Sequence, residues 1–162
     1  MAETVIVHPN RETAESKATK GAVILLLIAS AVLTIIVTVG GWSVLQGAQI
    51  VAFGYIVIYL VMAFFVSRWS RGVLPVAAAL AILFMVVAGV AGPQWFARDE
   101  SGFQDPALPA GMLGLLTLVI IPVQVLLIVF SLRAFSQKWN VEVEVSRDQY
   151  ERGDYSYQQE DD

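Results

Sequence analysis

Four windows of this chain contain no charged residue and almost no polar one: Gly21–Val39, Ala48–Val66, Val73–Ala91 and Gly111–Leu132. At about 1.5 Å rise per residue, each window matches a hydrocarbon layer roughly 30 Å thick. None shows the period-two alternation of barrel strands, and in lipid only helices or closed barrels satisfy the backbone. The pattern predicts an all-α membrane protein, a bundle of four transmembrane helices. It divides the chain into an N-terminal tail over residues 1–20, a membrane domain over 21–139 with one sizeable loop at 92–110, and an acidic tail over 140–162.

The polar segments carry finer signals. In the N-terminal tail "TVIV" is β-prone, Pro9 stops it, and Asn10 is a helix-cap candidate, so that "RETAESKATK" would run as a polar helix into the first span. Beyond the fourth span, helix is expected to continue through "RAFSQKW". "NVEVEV" then alternates, with Val141, Val143 and Val145 on one face, which is the pattern of a half-buried strand. A lone strand needs a partner, either "TVIV" or a second protein. The stretch from Arg147 onward lacks aliphatic residues and is expected to be disordered, its Tyr150, Tyr155 and Tyr157 solvated.

Charge sets the expected orientation. Arg11, Lys17, Lys20, Arg68, Arg71, Arg133, Lys138, Arg147 and Arg152 fall in segments that share one side, and Arg98 alone falls on the other. Nine basic residues against one place both termini in the cytoplasm of a cell that inserts the protein into its plasma or inner membrane. Trp42, Trp69, Trp95 and Trp139 each follow a span, as interface anchors do. The first apolar run has nineteen residues, longer than a signal-peptide core, and no small-residue cleavage site follows it, so it reads as an uncleaved anchor.

Composition narrows the chemistry. The chain of 162 residues is 57% hydrophobic and 15% charged, with a mean hydropathy of +0.67. It has no cysteine and a single histidine, His8, in the tail. Thiolate metal sites, disulfides and bis-histidine haem are excluded. The net charge of −4, with eight of fourteen acids after residue 140, leaves no basic stripe for nucleic acid. Asp99, Glu100 and Asp105 share the long loop without the spacing of a calcium loop. No titratable Asp, Glu, Lys, Arg or His lies inside a span, and no base stands near Ser30 to activate it. Neither an enzyme nor a resident cofactor or metal is expected.

Placed on a 100° wheel, each span gathers its small and polar residues on one face. The first has Ser30, Thr34 and Thr38 with Gly41. The second has Ala48, Ala52, Tyr55, Tyr59 and Ala63. The third has Ala77, Ala81, Met85, Ala88 and Gly92, and the fourth Gly114, Thr117, Gln124 and Ser131. Tyr55, Tyr59 and Gln124 sit near mid-span, where an unpaired amide or hydroxyl costs several kcal/mol. They are expected to face inward and to bond one another or Ser30 and Thr34. Pro122 removes one backbone N–H and is expected to kink the fourth helix, while Pro75 sits harmlessly at the start of the third.

In size and span count the chain is similar to small four-span accessory subunits of bacterial membrane complexes, respiratory oxidases among them. The resemblance rests on topology and on the acidic tail, with no shared motif. It implies a structural subunit that packs against a larger protein partner or its own copies within the lipid bilayer. The alternative expectation is a small transport or lipid-binding module that uses the Tyr55, Tyr59 and Gln124 face.

Overall fold

The computed structural model describes residues 3–98 and 100–153. Asp99 and the last stretch, with Tyr155 and Tyr157, lie outside the described residues. In chain order the elements are β1 (Thr4–Val7), α1 (Pro9–Glu12), α2 (Ala14–Gly40), α3 (Ala48–Ser67), α4 (Val73–Ala97), α5 (Ala110–Ser136), β2 (Val143–Ser146) and α6 (Arg147–Arg152). A single 3₁₀ turn, Trp42–Val44, follows α2. The helices α2 to α5 are each long and apolar enough to cross a membrane, so the chain is a small multi-pass membrane protein built as a helical bundle.

The stretch Arg147–Arg152, expected to be disordered, instead forms α6, because Ser146 caps it: its hydroxyl accepts from the Gln149 N–H and the Gln149 side chain reaches back to it. Three boundaries also differ from expectation for local physical reasons. Thr13, not Asn10, caps the first long helix: its hydroxyl accepts from the Ser16 N–H at 3.2 Å, while the Asn10 amide donates to the Lys138 carbonyl at 3.1 Å. Capping there starts α2 at Ala14. α4 runs on through Pro93 to Ala97 instead of yielding a loop at residue 92. The added turn carries Trp95, which is buried against Gly41. At the far end of α5 the helix stops at Ser136, because Lys138 adopts a φ of 48° and turns the chain back. The helix itself is continuous across Pro122.

Within the bundle, α2 packs on both α3 and α5, and α4 packs most extensively on α5. Of the four neighbouring helix pairs, α3 and α4 meet least, leaving a seam between them. In a bilayer no water-driven force brings helices together, so close backbone approach through small residues matters. A Cβ on Gly92 would sit 2.6 Å from the Leu118 Cδ2, and one on Gly114 would sit 2.7 Å from the Phe96 Cε2. These two glycines are why α4 and α5 can lie so close. Outward, residues such as Leu25, Ile50, Val61 and Leu115 present aliphatic bulk to the surroundings.

One end of the bundle carries both tails. β1 and β2 pair antiparallel, with Val5 opposite Val145 and Val7 opposite Val143. That register turns Val7 and Val145 inward and leaves Ile6 exposed opposite Glu144. The tails are clamped further by side chains reaching backbone carbonyls: Arg11 Nε donates to Trp139 O at 2.7 Å, and His8 Nδ1 lies 3.3 Å from Val141 O. Glu3 pairs with Arg147, and Glu15 with Arg133 at 2.6 Å. Both ion pairs are exposed and add little by themselves.

Replacing Gly114 with Leu drives a branched side chain into Phe96 and is expected to destabilise the bundle by about 1–3 kcal/mol. Gly89→Ala meets open space in the interior of α4 and should leave the bundle as stable or stabilise it by up to about 1 kcal/mol. Thermal unfolding in detergent, followed by circular dichroism, checks both.

Candidate functional site

Midway along the bundle, one relay of hydrogen bonds joins three helices. Gln124 on α5 is fully buried. Its Oε1 accepts from the Tyr59 hydroxyl of α3 at 2.8 Å, and its Nε2 donates to the Ser30 Oγ of α2 at 2.9 Å. The Ser30 hydroxyl passes its own proton on to the Leu26 carbonyl at 2.7 Å. Each member donates in one direction along the relay, so no donor opposes another. Ser30 and Tyr59 are themselves almost wholly buried.

The other polar residues singled out in the sequence do not join this relay. Thr34 and Thr117 turn their hydroxyls to the carbonyls of Ser30 and Leu113 on their own helices, each at 2.7 Å. Tyr55 lies one turn from Tyr59 and meets it edge-on, but its ring stacks on Phe84 with centroids 4.5 Å apart. The hydroxyls of Tyr55 and Ser131 are buried and make no hydrogen bond among the described residues. On α4 the inward position is Phe84 rather than Met85. Phe84 shares the face of Ala81 and Ala88 equally well, and it is buried where Met85 is only partly so.

Beside the relay, in the half of the bundle away from the tails, is a cavity of about 250 Å³. Thr34, Val37 and Thr38 of α2 line it, with Ala52 and Tyr55 of α3, Phe84, Val87 and Ala88 of α4, and Thr117 and Ile120 of α5. Leu45 and Trp95 close the outer end. The cavity exists because α3 is buried only from Ile56 onward; Ala48 is exposed and Ala52 half-buried, so this half of α3 stands off from α4. The wheel placed Ala48, Ala52 and Ala88 at helix contacts, whereas here they border space.

The tryptophans divide. Trp42 is half exposed at the end of α2, in edge contact with Phe53. Trp95 and Trp139, expected as lipid anchors, are instead buried against protein. Trp139 is wholly buried, meets Trp69 edge-on at 5.1 Å and donates Nε1–H to Gln137 at 3.1 Å. The reason is the turn at Lys138, which folds it under the bundle. Trp69 is partly buried and carries Lys20 over its face at 4.0 Å. Of the other basic residues, Arg71 donates to the Phe135 carbonyl at 2.8 Å and to Asn140 at 3.0 Å. Lys17, Arg68 and Lys138 are exposed, all at the tail-bearing end.

Elsewhere, Glu100 and Asp105 border an open depression on the long loop together with Arg98. Among the described residues no three His, Asp or Glu side chains converge as metal ligands. No known family model, curated protein or solved structure matches the chain.

The relay is testable as a coupled unit. Gln124→Leu strands the Tyr59 hydroxyl, while Ser30 keeps its bond to the Leu26 carbonyl, and Tyr59→Phe removes one donor. A double-mutant cycle between them should show a coupling of about 0.6–2 kcal/mol in unfolding free energy in mixed micelles. Thr117→Val, outside the relay, should show no coupling to Tyr59→Phe.

Proposed function

We propose that this chain is a non-catalytic structural subunit of a membrane assembly, held in the plasma or inner membrane with both tails in the cytoplasm. The observation that carries the reading is the platform at the tail-bearing end. There the two tails are knitted to each other and to the end of α5, and the two-stranded sheet leaves its outer edges unpaired among the described residues. An ordered sheet edge with an exposed Ile6 is a template for strand addition by a partner.

The midplane supports the same reading. Tyr59, Gln124 and Ser30 spend their polar groups on one another, no charge lies within the charge-free windows, and this closed relay suits a packing lock better than a solute path. Pro122 fits the same role, as a bend in α5: it is exposed on the flank opposite Gln124, where a lost N–H disturbs the lock least. The orientation rests on the nine-to-one distribution of basic residues.

Solubilised gently from native membranes, the tagged protein should run with a stoichiometric partner. Ile6→Asp should release that partner while leaving the melting of the bundle unchanged; recovery as a lone monomer in every detergent would count against the proposal. Orientation has its own check, made clean by the lack of native cysteine. In intact cells, Ser101→Cys should react with a membrane-impermeant maleimide, and Thr4→Cys should react only after permeabilisation.

A further inference from the structure

We propose that the cavity beside the relay is a lateral binding site for one acyl chain of a bilayer phospholipid. The inference goes beyond the structural-subunit reading and does not depend on it.

The site is open sideways. Val51 of α3 and Val87 of α4 line the cavity and are also 59% and 43% exposed, so they form its mouth at the seam where these helices part. Thr34, Thr117 and Ile120 form its floor and are buried. The two threonine hydroxyls on the floor are committed to their own helices and have no proton to offer a ligand. Tyr55 and Thr38 also border the cavity, but the Tyr55 hydroxyl, unpartnered among the described residues, is buried away from its surface, and the wall that faces the space is almost entirely apolar.

Its occupant follows from that wall. Water needs two to four polar partners to settle in a cavity, and apolar cavities stay dry. Left empty, the lining forfeits its dispersion contacts. In the membrane, the material at the mouth is lipid chain. At about 250 Å³ the space falls below the roughly 300–1,000 Å³ of pockets that engulf a whole ligand, so it takes a length of one chain and leaves the headgroup outside. The headgroup then belongs to the leaflet at the end away from the tails, where Trp42 and Leu45 stand. The adjoining loop, residues 41–47, carries no charge, so the site reads the chain and not the headgroup. Small residues usually bring membrane helices together; Ala52 and Ala91 instead border the gap, as walls of a slot would.

The test uses the full chain at low density in dioleoyl-phosphatidylcholine vesicles doped with a phosphatidylcholine bearing a diazirine in mid-chain. After irradiation, labelled residues are mapped by mass spectrometry. The expected result is label on the buried Thr34, Thr117 and Ile120 as well as on outward residues such as Leu25 and Val61. Ala52→Phe and Ala91→Phe, which fill the slot from opposite walls, should each lower label on the floor by about tenfold, since burial of several methylenes is lost, and leave Leu25 and Val61 unchanged. Label confined to outward residues overturns the proposal, and so does floor label that the filling variants leave intact. Cross-linking of the floor to a second copy of the chain would assign the slot to a protein side chain and also overturn it. The wild-type map decides even if a variant fails to fold.

Discussion

A glutamine amide at the centre of a hydrocarbon layer must find its partners inside the protein, because the solvent there has none to give. Gln124 finds one on α3 and one on α2. Two neighbouring helices are thereby fixed in depth and rotation against α5. A hydrogen bond of this kind contributes little net energy, but a helix turned or slid out of register would leave the Gln124 amide or the Tyr59 hydroxyl stranded. The relay acts as a key that admits one arrangement of otherwise greasy cylinders.

α4 has no share in the relay and is held differently. It is placed by contact, with Gly92 receiving Leu118 and Gly114 receiving Phe96. The bundle therefore has a polar side, α2–α3–α5, and a close-packed side, α4–α5. Between them, α3 and α4 have neither a hydrogen bond nor a glycine groove to draw them together in the outer half. The seam and its cavity arise from that division. The same logic explains why Tyr55, on the face of Tyr59, ends against the Phe84 ring and not in the relay.

Much of this was legible in the linear pattern. Four charge-free windows are long enough to be read as spans, and a mid-span glutamine stands out because its environment makes it costly. Ser30, Tyr59 and Gln124 come together, yet nothing in the wheel separates Tyr59 from Tyr55; one helical turn of depth decides it. Asn10 and Thr13 are both cap residues by type, and only the docking of Asn10 onto Lys138, with Thr13 accepting from Ser16, separates them. Trp95 and Trp139 carry the signature of interface residues, and their burial depends on Gly41 and on the turn at Lys138, both remote from any periodicity. The cavity was hidden most deeply. Small residues are read as contacts, and whether they close a gap or border one depends on how whole helices tilt.

The pairing of β1 with β2 also orders events in time. Residues 4–7 leave the ribosome ahead of the four long helices, and their strand partner at residues 143–146 emerges only after all four have been made. Throughout synthesis the leading strand and the Arg11 side chain have no mate from this chain, while the amide relay can form as soon as α5 is inserted. The tail platform thus assembles after the four-helix core, and a nascent chain halted before residue 143 would hold a finished core with an open hem.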